Sequence, residues 1–196
     1  MMGNTFGKPQ VRTISGLTRS GSLGLLLEVL FLLGIGAVAI LLHARLRTPL
    51  NLPGHHGIEF MGLLLLGRMS SRLRFASTIS SLGIGLLLLF PVFGFNDPMM
   101  GFNYMLPGFF LDTYYQLGGK LNKNLWYLGI IAGLSYITIP FSRLIISAST
   151  GYQYGAFIKH GLLAPFFSYL FFGLGGGFFG TGVYKIFNRL ISKFSN

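Results

Sequence analysis

Four stretches of the chain, residues 23–42, 77–95, 125–148 and 161–184, are apolar almost without interruption. Each has the roughly 20 residues that a helix needs to cross the hydrocarbon core of a bilayer. Two more, 58–67 and 99–115, are marginal, and the second contains Pro107 and Asp112. Continuous runs exclude a porin-type barrel, whose strands alternate over about ten residues between turns. Only 10% of the residues are charged, against roughly 25% in a soluble domain. The sequence predicts an all-α, polytopic membrane protein.

The cations orient it. Fifteen Lys and Arg stand against four acids, a formal net charge of +11. They lie in short clusters between the apolar runs and not along one face, which excludes a nucleic-acid-binding module. With all six segments crossing and the N-terminus inside, eleven cations fall in the cytoplasm (Lys8, Arg12, Arg19, Arg68, Arg72, Arg74, Lys120, Lys123, Lys185, Arg189, Lys193). Three fall outside (Arg45, Arg47, Lys159), and Arg143 lies within a span. Four spans would split them eight to six. The positive-inside rule therefore favours six transmembrane helices with both termini cytoplasmic. The organisation expected is a cytoplasmic basic segment, 1–22, followed by one six-helix membrane domain, 23–196. Lys8, Arg12 and Arg19 before an apolar run imitate a secretory leader, but that run exceeds the usual 7–15 residues, so a retained helix is expected.

Several chemistries drop out. With no cysteine there is no disulfide, thiolate–metal site or thiol nucleophile. No GxxxxGK[ST] loop is present, so any transport would draw its energy from elsewhere. No cofactor is called for.

Ionisable residues inside a membrane are costly and mark function by default. Helix rise places Glu28 and Asp112 in the inner half, near Arg68, Arg72 and Arg74, where structural ion pairs are expected. Glu59 and Arg143 fall in the outer half at a shared depth. Around them the loops supply His55 and His56; Asn96, Asp97, Asn103 and Tyr104; then Thr150, Tyr152, Gln153, Tyr154, Lys159 and His160. Such a mixture at the end of an apolar bundle suits an outward-facing small-molecule pocket. The alternative is an aromatic belt with Arg143 snorkelling to headgroups. Pro140, one turn before Arg143, places a kink beside it. His56 and Glu59, three apart near a helix start, also permit a metal site with His55 and His160, although the spacing is not that of HExxH.

Glycine pairs at i,i+4 (Gly129/Gly133, Gly173/Gly177, Gly176/Gly180) allow close helix approach. Internal packing of the bundle is the plain expectation, and docking of another membrane subunit is the alternative.

The layout resembles the substrate-binding S-components of energy-coupling-factor transporters. The likeness rests on about 200 residues, six helices with both ends inside, a Pro53-Gly54 loop leading into a short second helix, and the run Phe171-Phe172-Gly173-Leu174-Gly175-Gly176-Gly177-Phe178-Phe179-Gly180 in the last. It implies a protein of a prokaryotic plasma membrane that binds a vitamin-like micronutrient in its outer half. It implies as partners a membrane scaffold subunit and cytoplasmic ATPases, with membrane lipid around them. Family members commonly dock through Ala-xxx-Ala in the first helix, where the nearest small residues here are Gly34, Ala37 and Ala39. The start Met1-Met2-Gly3 lacks the Met-His of the nickel and cobalt members.

The expected site comprises Glu59 and Arg143 on charged groups of the ligand, or paired in its absence. His55, His56 and His160 close the mouth, Tyr104, Tyr152 and Tyr154 stack on a ring, and Asn103 and Gln153 supply amides. Two rival readings remain: an intramembrane metal-dependent enzyme using the His/Glu cluster, and a structural or assembly subunit without a ligand.

Overall fold

A computed structural model describes residues 21–45, 52–88, 90, 97 and 99–194. Among the described residues every regular element is a helix, with no strand. Most of the expected N-terminal basic segment lies outside them, as do Arg47, Asn51 and Asn96.

Eight helices follow in order: α1 (Gly21–Arg45), α2 (Gly57–Ser70), α3 (Ala76–Leu88), α4 (Met100–Gly118), α5 (Leu125–Tyr136), α6 (Thr138–Thr150), α7 (Gly155–His160) and α8 (Leu163–Phe194). A 3₁₀ turn, Gly119–Lys123, joins α4 to α5. Three segments are long and apolar enough to cross a membrane: α1, α5 with α6 (Leu125–Thr150), and α8. Helix α3 is apolar but shorter. Large apolar side chains stand exposed along the long helices, among them Leu26, Leu30, Phe141, Phe167 and Phe171. That is the surface of a protein solvated by lipid, not by water.

Helices α5 and α6 form one run, Leu125–Thr150, interrupted only at Ile137, in keeping with the expected span 125–148. Pro140 has no N–H for the Tyr136 carbonyl, which is where the interruption falls. Two other elements differ from the sequence expectation. Helix α8 continues about ten residues past the expected end at 184. Helix α7 is a short turn within what reads as loop five.

The glycines serve internal packing. A Cβ on Gly177 would sit 2.8 Å from Gly129 Cα, and one on Gly173 2.9 Å from Gly133 Cα. On the adjoining face of α8, Gly176 and Gly180 lie against the backbone of Gly57 and Gly62. So α8 presents one glycine face to α5 and another to α2, and dispersion between closely approaching backbones replaces the missing hydrophobic drive. Gly36 and Gly83 bring α1 and α3 together in the same way. Of the expected docking residues, Ala39 is wholly buried in the chain's own core, Ala37 is half-buried, and only Gly34 is exposed with open space around it.

Candidate functional site at the outer end of the bundle

Polar side chains gather at two levels of the bundle, named inner and outer after the orientation expected from the cation distribution. Along α2, Glu59 and Arg68 are nine residues apart, and along α4 so are Asn103 and Asp112, about 13 Å by helix rise in each case. On α1, Glu28 meets Ser71 and Arg72 just beyond one level, and His43 meets His56 and Tyr104 at the other.

The inner level is a tight knot in which, among Asp112, Arg68, Glu28 and the groups they meet, only Arg68 Nε lacks a partner. Asp112, fully buried, accepts from the backbone N–H of Ser77 (3.1 Å) and Thr78 (2.7 Å) and from the Thr78 hydroxyl (2.7 Å). It thereby caps the first turn of α3 from across the bundle, where helix N–H groups have no partner of their own. Arg68 lies 3.6 Å from it, donates to the Leu73 carbonyl and covers the Tyr115 ring. Glu28 accepts from the Ser71 hydroxyl (2.7 Å) and the Arg72 N–H (3.0 Å), pinning the α2–α3 turn. The expected ion pair with the arginines is present for Asp112, but backbone and hydroxyl donors do most of the holding.

The outer level is built differently. The Pro53-Gly54 turn places Gly54 at φ 78°, where a side chain is strained, and the Tyr169 ring packs where its Cβ would be. The His55 ring nitrogen Nδ1 lies 2.7 Å from the Leu52 carbonyl, which holds the turn. His56 Nδ1 meets Glu59 Oε1 at 2.5 Å. Ring contacts then run around the bundle. His55 packs on His56 (3.9 Å between centroids), His56 on His43 (4.1 Å), and His43 edge-on to Tyr104 (5.7 Å). Phe60 bridges Tyr104 (5.3 Å) to Tyr136 (5.6 Å), and Tyr136 stacks on Tyr169 (4.6 Å), beside Gly54 again. The result is a collar of seven rings whose two ends meet at the Gly54 turn.

Arg143 lies against this collar. Its Nη1 donates to the Tyr169 hydroxyl (3.0 Å), and its guanidinium lies over the Tyr154 ring, 5.2 Å from the centroid. Its ion pair is with Asp97 (Nη2 to Oδ2, 3.4 Å), not with Glu59. Glu59 turns instead to His56, so the expected Glu59–Arg143 pairing in the absence of ligand is replaced by two separate pairs. One residue earlier on α6, the Ser142 hydroxyl donates to Asn103 Oδ1 (2.8 Å) or to the Ile139 carbonyl (2.9 Å). Three polar atoms here are buried without a hydrogen bond: Arg143 Nε, Asn103 Nδ2 and the Tyr154 hydroxyl. The Asn103 amide faces the Tyr154 hydroxyl without reaching hydrogen-bond geometry. Burial pushes the Tyr154 phenol above its usual range.

The structure thus brings together His55, His56 and Glu59 on one side of the collar, Tyr104 within it, and Arg143, Asn103 and Tyr154 on the other. Tyr152, half outside, reaches the group through Tyr154 (4.9 Å, edge-on). Among the described residues no hydrogen bond or ion pair joins Gln153 or His160 to the cluster, and no three His, Asp or Glu side chains converge as metal ligands. His43, Tyr169, Ser142, Tyr136 and Phe60 belong to the site and escape the sequence reading. His43 has a signal, being an ionisable residue near the end of the first apolar run. The others are aromatic or hydroxyl residues inside apolar stretches, indistinguishable there from packing.

Compared with known proteins, the chain matches no protein family, no curated protein and no solved structure.

Proposed function

We propose that this is a six-span protein of a prokaryotic plasma membrane, both termini cytoplasmic, that captures a small organic nutrient from outside. Uptake would be driven by a separate membrane scaffold and ATPase subunits, in keeping with the resemblance to energy-coupling-factor S-components. The reading is carried by Arg143. A guanidinium with only 14% of its side chain exposed is held by a neutral phenol and a long ion pair, with one N–H unused. Arg68 also leaves its Nε unused, so an unmet N–H alone does not mark a site. What distinguishes Arg143 is that the Tyr154 hydroxyl and Asn103 Nδ2, unmet as well, lie in the same neighbourhood, and unmet buried polar groups cost about 1–3 kcal/mol each. Incomplete pairing beside an aromatic collar fits a site that is completed by a ligand.

In this reading the rings of Tyr104 and Tyr154 contact the ligand body and Arg143 fixes its polar end. His55, His56 and Glu59 sit across the collar, on the turn through which a ligand would enter. The crossing of α2, α3 and α4, none of which meets the length and hydropathy of a free-standing span, is part of the proposal. Their burial against α1, α5 and α8 gives such short helices a place in the bundle.

Native mass spectrometry of the protein extracted gently from its own membranes tests this. The expected result is an added mass of a few hundred daltons that Arg143→Gln loses, together with co-purifying ATPase subunits. A chain that is bare in every preparation counts against capture. A tightly held metal ion would move the weight to an enzyme built on the histidine–glutamate cluster.

A further inference from the structure

We infer that the corner formed by Arg143, Asn103 and Tyr154 takes a carboxylate of a ring-bearing ligand, and that Asp97 stands in for that carboxylate when the ligand is absent. The inference rests on the capture reading and names the class of molecule captured.

The guanidinium presents two forks. Nη1 is committed to the Tyr169 hydroxyl. Nε and Nη2 share the other edge, the one that binds a carboxylate with two parallel hydrogen bonds. Of these, Nε has no partner, and Nη2 meets one oxygen of Asp97 at 3.4 Å. A good charge-assisted bond is about 2.7–2.9 Å, so this edge is half used and loosely held. Asp97 cannot turn both oxygens to it, because Oδ1 accepts from the Met99 N–H at 3.0 Å at the start of α4. Two further donors lie in the same neighbourhood, Asn103 Nδ2, on a fully buried side chain, and the Tyr154 hydroxyl; they face one another but neither completes a hydrogen bond.

A site with a fixed positive charge, an open two-donor edge and two idle neutral donors is complementary to an oxyanion, and its planar fork favours a carboxylate. A cation would meet Arg143 at close range, and a neutral amide would leave the charge compensated only by the loose Asp97 contact. The adjoining collar supplies apolar ring faces, which select a flat, ring-bearing body. Arrival of the ligand carboxylate displaces Asp97 towards the outside while Oδ1 keeps its bond to Met99, so the net charge of the corner changes by the ligand alone.

The test is ligand-observed NMR on the purified full chain with matched probes: benzoate, benzamide and benzylammonium, and the same three on naphthalene. The carboxylates are expected to bind, and Asp97→Asn to bind them about tenfold more tightly once the internal competitor is neutral. Arg143→Lys, which keeps the charge and loses the fork, should weaken them about tenfold or more, and Arg143→Gln should abolish binding. Should Arg143→Gln fail to fold, Tyr154→Phe carries the comparison, with a loss of about threefold from one hydrogen bond. Carboxylate binding that persists unchanged in a folded Arg143→Gln protein overturns the placement. Binding of the amides or ammonium compounds in preference to the carboxylates overturns the anion assignment and leaves capture standing. If no probe of any charge binds either wild type or Asp97→Asn, both the assignment and the capture reading fall.

Discussion

The two polar levels of the bundle use the same kinds of residue to opposite effect. At the inner level a buried carboxylate, Asp112, meets three donors and a cation. Arg68 there leaves its Nε unused, yet Nη1 is engaged and the guanidinium is covered by Tyr115. At the outer level the charges are equally sheltered, but three neighbouring side chains leave a polar atom unpaired, and Asp97 has one backbone donor beside Arg143 where Asp112 has three donors beside Arg68. Burial of polar groups alone therefore does not mark a functional site. The difference lies in whether the chain itself supplies the partners.

The most damaging way to probe this contrast is to unpair the inner knot. Asp112→Ala strands Arg68 and two helix N–H groups, and breaking a buried pair in this way costs roughly 3–5 kcal/mol. We expect Asp112→Ala to fail to accumulate as folded protein, or to unfold far below wild type in detergent. Retention of wild-type thermal stability would mean that the inner level is no more structural than the outer one. Arg143→Gln is the counterpart. With one firm bond and one loose one to lose, it should change stability by no more than about 1 kcal/mol, while abolishing ligand binding. A collapse as severe as that of Asp112→Ala would make Arg143 structural. Glu28→Gln should fall between, at about 1 kcal/mol, since the amide oxygen still accepts from Ser71 and Arg72 but without charge. Thermal unfolding in one detergent orders all three.

Much of this was legible in the chain, and the missing part has physical causes. Apolar run lengths announced the three long helices, and helix rise alone sorted Glu28 and Asp112 to one level and Glu59 and Arg143 to the other. The spacing of His56 and Glu59 near a helix start already put them within reach of one another. Pairing between elements did not follow. That Arg143 would meet Asp97 depends on which loop lies beside α6, and that Tyr169 would support it depends on the rotation of α8, which its two glycine faces set against α2 and α5. Hydropathy treats a tyrosine within a phenylalanine-rich run as packing, so the collar stayed hidden. His160 and Gln153 are close to Tyr154 in sequence, but Gln153 lies in the exposed stretch before α7 and His160 at the far end of α7, and no hydrogen bond or ion pair joins either to the cluster among the described residues.

The finest distinction rests on a single oxygen. Tyr154 is buried, yet its hydroxyl forms no hydrogen bond, and its ring, which lies under Arg143, is kept in Tyr154→Phe. If the outer level is incomplete without a ligand, removing that hydroxyl relieves an unmet donor. The unliganded protein should then be unchanged or more stable by up to about 1 kcal/mol. The pH dependence carries a matching sign. Burial raises the Tyr154 pKa in the fold, so its contribution is constant below the unfolded value of about 10 and is lost as pH rises through the folded one. Phenylalanine removes that alkaline loss. Thermal unfolding of both proteins between neutral and alkaline pH measures both effects. A Tyr154→Phe protein less stable by more than 1 kcal/mol at neutral pH would show that the hydroxyl already has a partner within the fold. The contrast between a finished inner level and an unfinished outer one would then lose its sharpest support.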